Sequence, residues 1–66
     1  MKLKLKQLRQ SRGITQTFIS EQLGFKHPSS YSLIEKGKRG LEIKTARKLA
    51  EIFNVSMEEL FENDSE

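Results

Sequence analysis

Thr15-Gln16-Thr17-Phe18-Ile19-Ser20-Glu21-Gln22-Leu23-Gly24, followed by Phe25-Lys26-His27-Pro28-Ser29-Ser30-Tyr31-Ser32-Leu33-Ile34-Glu35-Lys36-Gly37, is the stretch that decides the fold. Thr15 is a side-chain acceptor placed to cap a helix start, and Ile14 and Ile19 have the spacing of a hydrophobic staple. Ile19 and Leu23 form an i, i+4 apolar pair, and Gly24 stands where a helix ends on a left-handed residue. Pro28 suits a first helical position, because its missing N–H would find no partner there. Tyr31 and Ile34 then share the inward face until Gly37. These marks predict two short helices, the second over about Pro28 to Lys36, joined through Gly24-Phe25-Lys26-His27.

Upstream, about Leu3 to Ser11, Leu5 and Leu8 share a face that stops at Gly13. The alternation of Leu3 and Leu5 with Lys2, Lys4 and Lys6 also fits a strand, while Gln7-Leu8-Arg9-Gln10 favours a helix with Lys2, Lys6 and Arg9 on one basic stripe. Downstream, Ile43, Ala46, Leu49, Ala50 and Phe53 fall on one face of a helix over about Ile43 to Phe53. Ser56-Met57-Glu58-Glu59 is a capping box that opens a short fifth helix carrying Leu60 and Phe61. The expected fold is all-α, with residues 1–66 forming a single compact five-helix domain that frays at 1–2 and 63–66.

A chain of 66 residues suits one small domain rather than two. Without cysteine it has no disulfide, thiolate metal site or thiol nucleophile. It must therefore fold on its apolar core, helped by a partner if at all. The basic start Met1 to Lys6 is followed by no apolar h-region, and no run is long enough to span a membrane, so a cytoplasmic protein is expected. The lone His27 has no second ligand at metal-binding spacing, and the carboxylates gather toward the end of the chain rather than around a cleft. Neither an enzyme nor a metal or cofactor site is expected, and no small-molecule pocket is apparent.

The net charge of +3 is divided unevenly. Residues 1–39 hold nine Lys/Arg and two Glu, a balance of +7, whereas residues 40–66 hold three Lys/Arg and seven Asp/Glu, a balance of −4. A polyanion would meet the first part and be repelled by the second. The basic part contains the paired helices, and two short helices across a Gly-containing turn have the shape of a helix-turn-helix, whose second helix enters the major groove.

Leu5-Lys6-Gln7-Leu8-Arg9, Gly13-Ile14-Thr15-Gln16, Leu23-Gly24, Ile34-Glu35-Lys36-Gly37-Lys38-Arg39, Leu49-Ala50 and Asn54-Val55-Ser56 together make the chain resemble the Cro and phage-repressor (XRE-like) helix-turn-helix family. The likeness runs from Leu5 to Phe61. It implies a lambda-repressor-like domain of bacterial or phage origin. The implied function is a transcription regulator, a repressor in the first instance, which binds double-stranded DNA at a two-fold operator as a homodimer.

The resemblance places Gln16 at a helix start that favours phosphate, with Ser30, Lys36, Lys38 and Arg39 as further phosphate contacts. It pairs Arg9 with Glu35 as a structural ion pair between the first helix and the recognition helix. The groove-facing residues become His27, Pro28, Ser29, Ser32 and Leu33. The turn is one residue longer than usual in the family, so His27 caps the helix or Ser29 caps a shorter one. Tyr31 takes an aliphatic position, its ring expected in the core and its hydroxyl at a phosphate or the surface. Phe18, where relatives are polar, packs on Phe25 or forms an exposed patch. His27 is a neutral surface residue or a group that protonates near phosphates.

The groove face lacks Arg, Gln and Asn, the side chains of bidentate base contacts. Ser29 and Ser32 suit several bases, and Leu33 suits a thymine methyl. Specificity then leans on DNA shape and phosphate placement; the alternative is a protein-binding helical module or antitoxin-like partner. A single recognition helix buries little, so Phe53, Val55, Met57, Leu60 and Phe61 are the expected dimer interface, unless they simply close the core, as some of them must.

Overall fold

Thr15 caps the second helix as its sequence requires: its Oγ1 accepts the backbone N–H of Phe18 at 3.0 Å. The structure, a computed structural model, describes residues 2–62. A strand β1 (Lys2–Leu3) leads into helices α1 (Leu5–Ser11), α2 (Gln16–Leu23), α3 (Pro28–Glu35) and α4 (Ile43–Phe53), then a 3-10 turn (Glu58–Leu60) and a strand β2 (Phe61–Glu62). Gly24, at φ 80°, closes α2, with the N–H of Phe25 returning to the Ser20 carbonyl at 2.9 Å. His27 caps α3 with its backbone in the extended region and makes no side-chain cap bond, and Pro28 takes the first helical position. The longer α3 register is the one that forms.

All four helices contribute to one core. Leu5 of α1, Ile19 of α2, Tyr31 and Ile34 of α3, and Leu49 and Phe53 of α4 are fully buried, together with Leu60. Ser20, the buried polar residue of α2, donates its hydroxyl to the Pro28 carbonyl at 3.3 Å and ties α2 to the start of α3.

The structure corrects several expectations. The capping box forms, with the Ser56 N–H donating to Glu59 at 2.7 Å and the Glu59 N–H to Ser56 Oγ at 3.3 Å. It opens only the three-residue 3-10 turn, not a fifth helix. Phe61 is drawn into extended backbone because it pairs antiparallel with Leu3, and the Lys4 N–H donates to the Leu60 carbonyl at 2.9 Å. The same ladder takes Leu3 out of α1 and gives Lys2 a backbone partner in Glu62. Lys2, Lys6 and Arg9 therefore form no helical stripe. The expected fraying at residues 1 and 63–66 lies outside the described residues.

Ile43 is 69% exposed rather than inward. It is the first residue of α4, and helical side chains lean toward the N-terminus, which tips it past the packed layer. The opposite end of α4 is closed by Asn54 in the left-handed region at φ 58°. Arg12 reaches it from beyond α1, its Nε donating to the Phe53 carbonyl at 2.8 Å and its guanidinium over the Phe53 ring at 5.9 Å.

Candidate nucleic-acid interface

Arg9 projects from α1 toward the end of α3, where its Nε donates to Glu35 Oε2 at 2.6 Å. The two side chains are 14% and 4% exposed, so the pair sits largely away from water. Arg9 also donates to the Ile14 carbonyl at 3.1 Å, which fixes the chain entering α2. The other Glu35 oxygen accepts Nε2 of Gln16, the first residue of α2, at 3.0 Å. One carboxylate thus holds α1, α2 and α3 in register.

Burial opposes the charge on Glu35, but hydrogen bonds from Arg9 and Gln16, the adjacent Tyr31 hydroxyl and the Arg9 charge outweigh it. The net effect holds the carboxyl below its ordinary range. The Tyr31 hydroxyl lies inside, not at a phosphate or at the surface as its position had suggested. Burial, reinforced by the Glu35 charge, pushes it far above the ordinary phenol range. It is close enough to feel that carboxylate, yet it makes no hydrogen bond of good geometry and is a buried polar atom without a partner.

Below this cluster an open groove of about 730 Å³ runs between α1, the start of α2 and the end of α3, with Lys6 and Lys36 on its lining. Gln16 has two amide hydrogens and gives one to Glu35, so the second remains for a ligand in the groove. The first N–H groups of α2 have no carbonyl a turn earlier, and with the helix dipole they favour an anion.

Of the expected base-facing residues, His27, Pro28, Ser29 and Leu33 are exposed and Ser32 is half-buried; Ser29, Ser32 and Leu33 lie on the side of α3 away from Tyr31 and Ile34. Ser30 is half-buried, its N–H closing the helix start on the His27 carbonyl at 3.1 Å. Beyond α3, Gly37 adopts φ 75°, and the Leu33 carbonyl accepts from Lys38 at 2.9 Å and from Arg39 at 3.3 Å. The loop bearing Lys36, Lys38 and Arg39 is therefore anchored to the helix, and all three side chains are exposed.

Arg39 stacks on Phe25, its guanidinium 5.2 Å from the ring centroid. This ties the loop after α3 to the turn before it. A stacked guanidinium keeps its N–H edge free in the plane of the group, so it can still meet an anion.

Phe18 does not pack under the turn: it is 45% exposed and stands on the outer face of α2. Of the residues expected at a dimer interface, Phe53 and Leu60 are fully buried within the chain and close its own core. Val55, Met57 and Phe61 are half-buried against that core. Arg12, Ser20 and the stacking role of Phe25 escaped sequence reasoning, because each acts on a backbone carbonyl or side chain distant in the chain.

Residues 5–60 match the family described as Helix-turn-helix. The chain belongs to this helix-turn-helix family. A protein of Archaeoglobus fulgidus described as an uncharacterized HTH-type transcriptional regulator is 30% identical over 66 residues, spanning 100% of this chain and 93% of that protein. In this helix-turn-helix chain the motif is α2, the Gly24–His27 turn and α3. No helix among the described residues is long and apolar enough to cross a membrane.

Proposed function

We propose that this helix-turn-helix chain is a sequence-specific regulator of transcription, in the first instance a repressor, that lays α3 in the major groove of double-stranded DNA. The observation that carries this reading is the fixed placement of anion-seeking groups on both sides of an outward, small-residue helix face. Gln16 is held by Glu35 on one side, and Lys38 and Arg39 are tied to Leu33 on the other. Gln16, Ser30, Lys36, Lys38 and Arg39 contact phosphates and set the register. His27, Pro28, Ser29, Ser32 and Leu33 face the bases, and the work of the protein is binding rather than catalysis.

The functional unit is a homodimer on a two-fold operator, its half-sites one helical turn, about 34 Å, apart. Val55, Met57 and Phe61 supply the apolar contact between copies. Sedimentation that finds a monomer both free and on DNA contradicts this mode.

Selection from a random duplex library tests the reading as a whole. Enrichment of a two-fold motif is expected; a pool that stays random after repeated rounds contradicts sequence-specific binding. The rival, a protein-binding module, draws on the exposed ring of Phe18, which lies outside α3. That rival predicts no enriched duplex.

A further inference from the structure

The exposed large apolar side chains among the described residues are Phe18, Leu33 and Ile43, and of these Leu33 alone belongs to α3. A single exposed leucine is ordinary on a protein surface. Its setting here is not. Tyr31 and Ile34 take the buried side of α3, so the helical period places Ser29, Ser32 and Leu33 opposite them. Leu33 is 40% exposed on that face and is not among the residues packed on the core.

The surroundings of Leu33 are cationic, with Lys26 before α3 and Lys36, Lys38 and Arg39 after it. That charge suits a polyanion rather than an apolar protein surface. The edge of the major groove offers one apolar group, the 5-methyl of a pyrimidine. The neighbouring serine hydroxyls donate or accept as required, and so discriminate little between bases. A leucine can do what they cannot: it gains from a methyl and loses against a bare polar edge.

Leu33 is also fixed in register. Its carbonyl accepts both the Lys38 and Arg39 backbone N–H groups, which fixes the backbone of the cationic loop relative to the residue that carries the side chain. Phosphate contacts made by that loop then set the base step that the side chain meets.

We propose that Leu33 reads a pyrimidine 5-methyl group in the major groove, so that each half-site prefers a methyl opposite this residue. Thymine supplies the methyl in unmodified DNA, and 5-methylcytosine supplies the same group where DNA is methylated. The assignment rests on the DNA-binding reading above and adds to it the chemical feature that α3 recognises.

The test uses the full chain and the duplex enriched from the random library, with thymine replaced by deoxyuridine one position at a time on each strand. Removing one buried methyl is expected to weaken binding about fourfold at one position per half-site, with little effect elsewhere. At that position cytosine should bind weakly and 5-methylcytosine should restore binding. Leu33→Ala, at an exposed site, should leave the thermal midpoint nearly unchanged and abolish the thymine preference there.

Equal binding of every deoxyuridine duplex overturns the assignment, as does a thymine preference that survives in Leu33→Ala. An enriched half-site with no thymine facing α3 also overturns it. These results leave DNA binding itself standing, whereas failure to bind any duplex overturns both readings.

Discussion

Gln16 donates its side-chain amide to Oε1 of Glu35 at 3.0 Å, across the boundary between the two helices of the motif. Because Arg9 occupies the other oxygen of the same carboxylate at 2.6 Å, Gln16 is oriented by a group that is itself held. A flexible amide becomes a fixed donor at the rim of the groove. The ion pair therefore has two consequences, one for stability and one for where an anion binds.

Removing the carboxylate leaves Arg9 charged and largely buried. Glu35→Ala is expected to cost about 3 kcal/mol, at the low end for a broken buried pair because Arg9 keeps some contact with water. Urea unfolding followed by circular dichroism measures it. A loss below about 0.5 kcal/mol, the scale of an exposed pair, would contradict the structural role.

The same carboxyl sets the acid limb of stability. Its value in the folded chain lies below that of the unfolded chain, so its contribution is complete above the unfolded value of about 4.3. It is lost as pH falls through the folded value. Urea midpoints measured from pH 7 to pH 3 should hold steady and then fall, and Glu35→Gln should flatten much of that fall. An unchanged acid limb in Glu35→Gln would assign it to other carboxylates.

Tyr31 acts at the alkaline end with the opposite sign. Its hydroxyl is held protonated in the fold, so stability is complete below the unfolded phenol value of about 10 and declines as pH rises beyond it. Tyr31→Phe removes that decline. It also deletes a buried hydroxyl with no hydrogen-bond partner of good geometry, a gain that the lost support of the Glu35 charge offsets, so stability near neutrality should change by less than about 1 kcal/mol. A loss of more than about 1 kcal/mol would mean that the hydroxyl bonds to Glu35.

Arg12 closes the end of α4 from outside the motif. Arg12→Ala is expected to lower stability by about 1 kcal/mol, through the bond to the Phe53 carbonyl and the stack on its ring. Amide exchange should quicken in the last turn of α4 more than in α3. Uniform exchange across the chain would contradict a local cap.

Phe25 positions Arg39. Phe25→Leu keeps an apolar side chain in the turn and removes the aromatic face under the guanidinium. DNA affinity should fall, and the slope of log K against log salt should become shallower by about 0.9, one phosphate contact. Adding Arg39→Ala to Phe25→Leu should cost little more. Fully additive losses would show that the two residues act separately.

The motif was legible because its signals are local. Thr15, Gly24, Pro28 and Gly37 mark ends by capping and by φ, and each lies within a few residues of what it controls. What lay beyond reach depended on residues far apart in the chain. The capping box at Ser56 and Glu59 forms, yet Leu3 captures Phe61 before a helix can extend, and no local pattern reports that pairing. The burial of the Tyr31 hydroxyl and the exposure of Phe18 were likewise settled by which elements met. At the candidate site the Arg9 and Glu35 positions were marked by resemblance, while the bond from Gln16 to Glu35 joins residues 19 apart in the chain and depends on how α2 meets α3.

If α3 and its flanking cations meet DNA, equilibrium binding of a labelled duplex will depend steeply on salt. With 6–10 phosphate contacts, affinity should fall by about 10³–10⁵ between 50 mM and 200 mM salt. Salt-sensitive binding of that steepness is the predicted result. No binding at about 50 mM, or binding indifferent to salt, would mean that α3 does not meet DNA.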